Sequence, residues 1–382
     1  MPNDFNVENA VKQLIWTGVG SYDTGNEGEA HANGSKYRLA FKFGGWCFLA
    51  CEAHAAAQQY TVTDLGTLSG NKVSVAYGLN NSGEAAGTSS NPTGAIATMF
   101  SGGKAASVNT LGADVSVATA MNGSGQIAGY NFFYSNPNFN PQAFLYSNGS
   151  MKNINSASLF PSGTEAWGIN NSGQVVGTGY FSPGNFHAFL FSGGKMNDLG
   201  PPGSYQASAV AINNSGQIVG GYFLVSGGGG AFIYSNGKIA QLPVPTGSSA
   251  VSAFAINDNG EIAGALYFSA GSPPHAARYS NGIWSDLGAI AGANSNLAKG
   301  VNVNGQVVGT AYLPQTQYHP PKPGKHVAFI YSNGGLVDLN TLIPAGTGFT
   351  LTDAVGINDS GQIVCNATNV SGSEHAVLLS PK

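Results

Sequence analysis

Apolar residues along most of this chain fall in runs of about four to eight, alternating with or bounded by polar and glycine positions. No run holds the three-and-four spacing of an amphipathic helix for long, so the pattern predicts strands. One stretch shows their order: Glu165 to Ile169, Gln174 to Phe181, His187 to Phe191 and Lys195 to Leu199, each separated by a few turn residues. Four short strands joined by tight turns make up one propeller blade.

Two turn phrases recur through the chain. The first is an apolar residue, Asn, two variable residues, Gly, then Gln or Glu. It reads GLNNSGE from Gly78, AMNGSGQ from Ala120, GINNSGQ from Gly168, AINNSGQ from Ala211, AINDNGE from Ala255, GVNVNGQ from Gly300 and GINDSGQ from Gly356. Spacing between the Asn residues runs from 42 (Asn80 to Asn122) to 56 (Asn302 to Asn358), the range of propeller-blade repeats. Asn followed three residues later by Gly suits a type I turn completed by a left-handed glycine. The Asn side chain can accept a backbone N–H there, so its recurrence reads as turn capping rather than metal binding. The second phrase closes an apolar stretch with Ser and then Asn-Gly or Gly-Gly, as in AFIYSNGK from Ala231. Those residues supply the positive φ angles of a hairpin.

The repeat units span about 70–112, 113–157, 158–200, 201–243, 244–288, 289–340 and 341–380. The last stops after HAVLLSPK without a fourth strand, and a matching strand stands ahead of the first unit. YTVTDLG, Tyr60 to Gly66, aligns with MNDLG from Met196, WSDLG from Trp284 and LVDLN from Leu336. Residues 58–382 are therefore expected to be all-β, a seven-bladed β-propeller of four-stranded blades. The N-terminal strand would close it by completing the last blade, pairing two edges that otherwise invite aggregation.

With its motifs in this order the chain resembles the HAF-family extracellular repeat proteins, whose repeat runs close to GINNSGQVVG, HAFLY and a DLG strand. The resemblance covers roughly residues 58 to 382 and implies a secreted bacterial β-propeller; it implies no particular activity. The family's His is present at His187, His275 and His375, while Ile96, Gln142, Gly230 and Val327 hold the matching positions. These histidines fall one to a unit on third strands, so a hydrogen-bonding role is expected of each rather than a shared zinc. Asp64, Asp198, Asp286 and Asp338 recur on fourth strands, where other units are read as carrying Thr110, Asn153 and Gln241.

Composition narrows the function. Only 8% of residues are charged and 56 of 382 are Gly, against a usual quarter charged and about 7% Gly. A net charge of −4 with no basic cluster excludes a nucleic-acid footprint. Residues 1–57 carry no repeat phrase. Within them Lys36 and Arg38, the apolar stretch Leu39 to Ala50 and the alternating small residues beyond it have the order of a secretory signal peptide cleaved near Ala55 or Ala57. Lys42 and the long preceding region depart from that pattern, and a translation start downstream of Met1 would reconcile them. Cleavage would remove Cys47 and Cys51. Cys365, standing where other units have Gly177, Gly220 and Gly309, is expected to be a small packed residue. The mature chain is expected to be a secreted, extracellular monomer with no transmembrane segment.

Variable loops on a rigid scaffold are where binding residues usually lie. The connections between second and third strands vary most, from Thr88 to Gly94 in the first unit to the proline-rich Thr310 to His326 in the sixth. An aromatic recurs just after the second-strand Gly at Phe132, Tyr180, Tyr222, Tyr267 and Tyr312. Such rings stack on sugar C–H groups while amides bond hydroxyls, although packing between blades is their commoner use. Candidate ligand-binding residues are Tyr130, Tyr134, Phe139, Tyr180, Tyr222, Tyr267, Tyr312 and His319, with Tyr130, Tyr134 and Phe139 expected to be exposed. No catalytic residue, metal ligand or cofactor is assigned: Asp114, Glu165, Asp353 and Glu374 share no local motif, and neither HExxH nor GxSxG occurs. The expectation is a binding module for a carbohydrate or cell-surface glycan. A protein-interaction scaffold or adhesin, and a propeller enzyme acting on an extracellular polymer, are the alternatives.

Overall fold

The computed structural model describes residues 27–32, 35–40, 59–134, 140–269, 272–314 and 325–382. The chain divides into two compact units, Met1–Gln58 and Gln59–Lys382. The first contains an antiparallel hairpin of β1 (Glu27–Ala32) and β2 (Ser35–Ala40). The expected cleavage site near Ala55 or Ala57, with Cys47 and Cys51, lies outside the described residues.

Among the described residues the second unit is all-β apart from a short 3-10 turn at Leu339–Thr341. After β3 (Tyr60–Asp64), the repeats supply strands in fours. They are β4 (Val73–Leu79), β5 (Ala85–Asn91), β6 (Gly94–Ser101) and β7 (Lys104–Ser107); β8 (Val115–Met121), β9 (Ile127–Phe132), β10 (Gln142–Ser147) and β11 (Ser150–Asn153); β12 (Thr164–Ile169), β13 (Val175–Ser182), β14 (Asn185–Ser192) and β15 (Lys195–Asp198). Then come β16 (Ser204–Ile212), β17 (Ile218–Leu224), β18 (Gly229–Ser235) and β19 (Lys238–Gln241); β20 (Ala250–Ile256), β21 (Ile262–Tyr267), β22 (His275–Ser280) and β23 (Ile283–Asp286). The sixth repeat gives β24 (Ser295–Val301), β25 (Val307–Tyr312), β26 (His326–Ser332) and β27 (Gly335–Asp338), and the last gives β28 (Phe349–Ile357), β29 (Ile363–Asn369) and β30 (Glu374–Pro381). Within each set neighbouring strands pair antiparallel in chain order, and one parallel bridge, Phe186 with Gln206, joins the third and fourth sets. The last set has three strands of its own, and β3 pairs with β30, Tyr60 opposite Pro381 and Asp64 opposite Val377. Radially repeated four-stranded sheets of this kind are those of β-propellers.

Both turn phrases form as their residues dictate. Asn236 and Gly237 have φ of 51° and 77°, the two left-handed residues of a hairpin turn whose twist matches its strands. In the third repeat Asn170 Oδ1 accepts from the N–H groups of Ser172 and Gln174 at 3.1 and 3.0 Å. The same asparagines also join neighbouring sheets. Asn80 Nδ2 donates to the carbonyl oxygen of Asn122 at 3.2 Å, Asn122 to Asn170 at 2.9 Å, and Asn170 to Asn213 at 3.1 Å. Asn213 donates to Asn257 at 3.0 Å, Asn257 to Asn302 at 2.8 Å, Asn302 to Asn358 at 3.1 Å, and Asn358 to Asn80 at 3.1 Å. All of these side chains are buried, so each amide must be paired, and each is.

Every first strand skips a residue at the same place against the second: Tyr77, Thr119, Trp167, Val210, Phe254, Lys299 and Val355 are these shared bulges. The bulged backbone crowds the second-strand residue facing it. A Cβ on Gly177 would lie 1.9 Å from the carbonyl oxygen of Glu165 and 2.8 Å from the ring of Phe189, so only Gly fits there. Cys365 takes that position in the last set, where the surroundings differ from those of Gly177. A further register shift between Leu351 and Asp353 adjoins it, and its third-strand neighbour is Val377 rather than a phenylalanine. The thiol is buried and unpaired, in the packing role expected of it.

Apolar layers fill the spaces between adjacent sheets. Ala86, Ala118, Ile127 and Phe144 pack between the first and second sets, and Leu65, Ala76, Phe100 and Val364 between the last and the first.

Candidate functional site

In each four-stranded meander, the first-to-second and third-to-fourth turns leave one side, and the remaining connections leave the other. Large apolar side chains come to the surface mainly on that second side. Tyr134 is 68% exposed, Phe223 57%, Val225 76% and Val370 92%, all in or beside second-to-third connections. Tyr205 and Val244, beside connections between sets, are also exposed. The Tyr134 N–H donates to Asp114 Oδ2 at 2.6 Å, which fixes the backbone and leaves the ring outside. A cleft of about 470 Å³ opens on this side, bordered by Asn340, Ile343, Phe349, Thr350, Asn369 and Val370. Phe139 and His319 lie outside the described residues.

The recurring aromatics do not form the single ring their spacing suggests. Phe132, Tyr267 and Tyr312 face Val115, Ala250 and Ser295 of their first strands, but in the fourth set Phe223 takes that register, opposite Gln206. Tyr222 is one residue earlier, opposite Ala207, and therefore points to the other side of its sheet, toward Phe232. Tyr267 and Tyr312 are half-buried, with Tyr312 packed edge-on against His326 at 4.7 Å.

Tyr130 and Tyr180 are half-buried as well, which departs from the exposure expected of Tyr130. Tyr130 meets the indole of Trp167 edge-on, ring centres 5.4 Å apart and planes at 68°. Tyr180 donates from Oη to Glu165 Oε2 at 2.7 Å, and Trp167 Nε1 donates to Thr178 Oγ1 at 3.0 Å. Each first strand contacts the first strand of the next set, and β28 contacts β4, which brings the bulge residues side by side. Thr119 of the second set therefore lies between Tyr77 of the first and Trp167 of the third. Burial raises the Glu165 carboxyl above its ordinary value, opposed by the Tyr180 hydrogen bond. The Tyr130 phenol is pushed up to about 12, by burial first and then by the Glu165 charge and Tyr77. Burial and then Glu165 raise the Tyr180 phenol well above the usual range. Among the described residues no Lys or Arg pairs with Glu165. Lys299, the bulge residue of the sixth set, reaches both oxygens of Asp353 at 2.9 Å, and Thr310 donates to the same carboxylate.

The histidines tie third strands to fourth strands. His187 Nδ1 lies 2.9 Å from Asp198 Oδ2, His275 Nδ1 2.8 Å from Asp286 Oδ2, and His375 Nδ1 3.1 Å from Asp64 Oδ2. In the second set Gln142 and Asn153 hold the two positions, and Asn153 Nδ2 donates to Gln142 Oε1 at 2.6 Å. In the first set the fourth-strand position belongs to Ser107, opposite Thr98, and not to Thr110.

No protein-family model and no curated protein sequence matches the chain. Among solved structures, it is similar to the β-propeller domain of the trilobed protease from Pyrococcus furiosus, which has an open velcro topology. The identity is 10% over 82% of this chain and 95% of that one, with a TM-score of 0.50. It is also similar to a puromycin-hydrolysing peptidase from Mycobacterium tuberculosis, at 9% identity over 84% of this chain and 53% of that one, with a TM-score of 0.50. The chain therefore spans about half the length of that peptidase. Identities this low carry the fold alone: the chain has a β-propeller architecture.

Proposed function

We propose that residues 59–382 are a closed seven-bladed propeller of the HAF repeat type, and that it serves outside the cell as a binding module for a carbohydrate or cell-surface glycan. Support for closure comes from the pairing of β3 with β30 and from the Asn358 to Asn80 hydrogen bond. The observation that carries the binding reading is the concentration of exposed rings, Tyr134, Tyr205 and Phe223, on the side of the sheets that bears the variable connections. Rings held on a rigid scaffold present apolar faces to sugar C–H groups at little entropic cost. The secreted location rests on the repeat resemblance and on the order of basic, apolar and small residues before residue 58.

The test is binding of the full chain to a glycan array and to insoluble polysaccharides, with and without calcium. Saturable binding that free sugar displaces, and that a Tyr134→Ala, Phe223→Ala variant loses, supports the reading. Absence of binding on every surface, or binding that no free sugar displaces, overturns it.

A further inference from the structure

The cluster around Glu165 has a chemistry of its own, separate from the exposed rings. Its carboxylate is half-buried and takes one hydrogen bond, from Tyr180, with no Lys or Arg paired to it among the described residues. A carboxylate in that state calls for a positive partner. Tyr180 bonds it, the Tyr130 phenol lies close enough to respond to its charge, and the Trp167 indole meets Tyr130; the faces of such rings carry the negative side of the aromatic quadrupole. Tyr130 and Trp167 are inclined at 68°, so they form a corner rather than the flat platform a pyranose ring needs. A lone carboxylate among ring faces also cannot supply the six to eight oxygens of a calcium shell.

We infer that Glu165 with Tyr130, Trp167 and Tyr180 forms a site for a small organic ammonium ion. The carboxylate meets the charge and the rings enclose the alkyl groups through cation–π contact. The walls are set in advance. Trp167 sits on a backbone bulge with its indole N–H held by Thr178, and the Thr178 hydroxyl is in turn 2.6 Å from that of Ser208 in the next sheet. Preorganisation of this sort lowers the ordering cost of binding. Lys299 does not compete for the site, because both of its contacts go to Asp353.

The experiment is calorimetric titration of the full chain with choline chloride and with 3,3-dimethyl-1-butanol, a neutral molecule of the same shape. Choline is expected to bind saturably and at least roughly tenfold more tightly than the alcohol. Glu165→Gln should erase that preference without changing the circular dichroism spectrum, and Trp167→Leu should weaken both ligands. The Tyr134→Ala, Phe223→Ala variant should bind choline normally, which keeps this site distinguishable from the glycan face. No saturation up to ~0.1 M choline, or equal affinity for the two probes on the unaltered protein, would overturn the assignment.

Discussion

Asn358 donates from Nδ2 to the carbonyl oxygen of Asn80, which lies 278 residues earlier in the chain, at 3.1 Å. The same nitrogen reaches Gln362 Oε1 at 2.9 Å, while Oδ1 accepts from the Gln362 N–H at 2.9 Å. Asn358→Asp keeps the size and the acceptor but sets a charged oxygen against two others in a buried position. A loss of about 3 kcal/mol is expected in urea unfolding. Asn213→Asp, inside the series, should cost the same if the first and last repeats are held as firmly as any adjacent pair. A variant at Asn358 that loses less than about 1 kcal/mol, beside a full loss at Asn213, would mean that the two ends are loosely joined.

The His187–Asp198 pair is replaced in the second set by Gln142 and Asn153, which make the same strand-to-strand link without a charge. Substituting both partners, His187→Gln with Asp198→Asn, should therefore be nearly neutral. His187→Ala alone should cost about 1 kcal/mol, because the pair is partly exposed and Asp198 keeps its bond to the Gly200 N–H. A double-mutant cycle read by thermal melting measures the coupling. A double variant less stable than the sum of its singles would show that the histidine does something the amide cannot.

The strand order, the turns and the strand that completes the last sheet were legible in sequence, because alternation and Asn-Gly pairs are local properties. The bulges were not, since Ala-Trp-Gly at 166–168 reads the same whether or not Trp167 is skipped by its partner strand. The recurring Asn declared its capping role but not its second bond, whose acceptor is a backbone carbonyl with no side-chain signature. Tyr130, Glu165, Trp167 and Tyr180 come together through bulges and adjacent sheets, so no spacing announced them. The link between third and fourth strands does leave a trace in sequence, since His187 with Asp198 gives way to Gln142 with Asn153 in the second set.

Cys365 and Val377 occupy the space that Gly177 and Phe189 share in the third set. Cys365→Gly alone should leave a small void and cost about 1–2 kcal/mol. Adding Val377→Phe should recover most of that loss, since a phenyl group then fills the room above the glycine as it does elsewhere. Denaturant unfolding of the two variants decides it; a double variant no more stable than Cys365→Gly would show that the register shift at Leu351 and Asp353 has closed the space to a ring.

Tyr134 and Phe223 project from sheets that do not need them. Changing both to Ala should alter stability by less than about 1 kcal/mol, whereas Phe160→Ala, at a fully buried position, should cost about 3–5 kcal/mol. Glycan binding should fall at least roughly tenfold in the first variant. Parallel melting and binding curves separate the two effects, and a stable variant with undiminished binding would remove these rings from the ligand face.

Glu165 gives stability a pH dependence of definite sign. Its carboxyl is raised in the folded state by burial, against the lowering hydrogen bond from Tyr180. Between the ordinary carboxylate value and the raised one, the folded chain therefore holds more protons than the unfolded chain, and stability falls as pH rises through that window. Glu165→Gln removes the charge and keeps an acceptor for Tyr180. Its melting temperature should match that of the unaltered protein near about pH 4 and exceed it near about pH 7. Glu374 is raised as well, by desolvation and then Asp353, but it is common to both proteins and cancels in the difference. Scanning calorimetry across that range supplies the comparison. If the variant melts below the unaltered protein at neutral pH, the charged form of Glu165 is the stabilised one, and the burial read from its surroundings does not govern it. Choline added at neutral pH should narrow the gap from the other direction, lifting the unaltered protein by about 2.7 kcal/mol at a hundred times its Kd and Glu165→Gln, about tenfold weaker or more, by no more than about 1.4 kcal/mol.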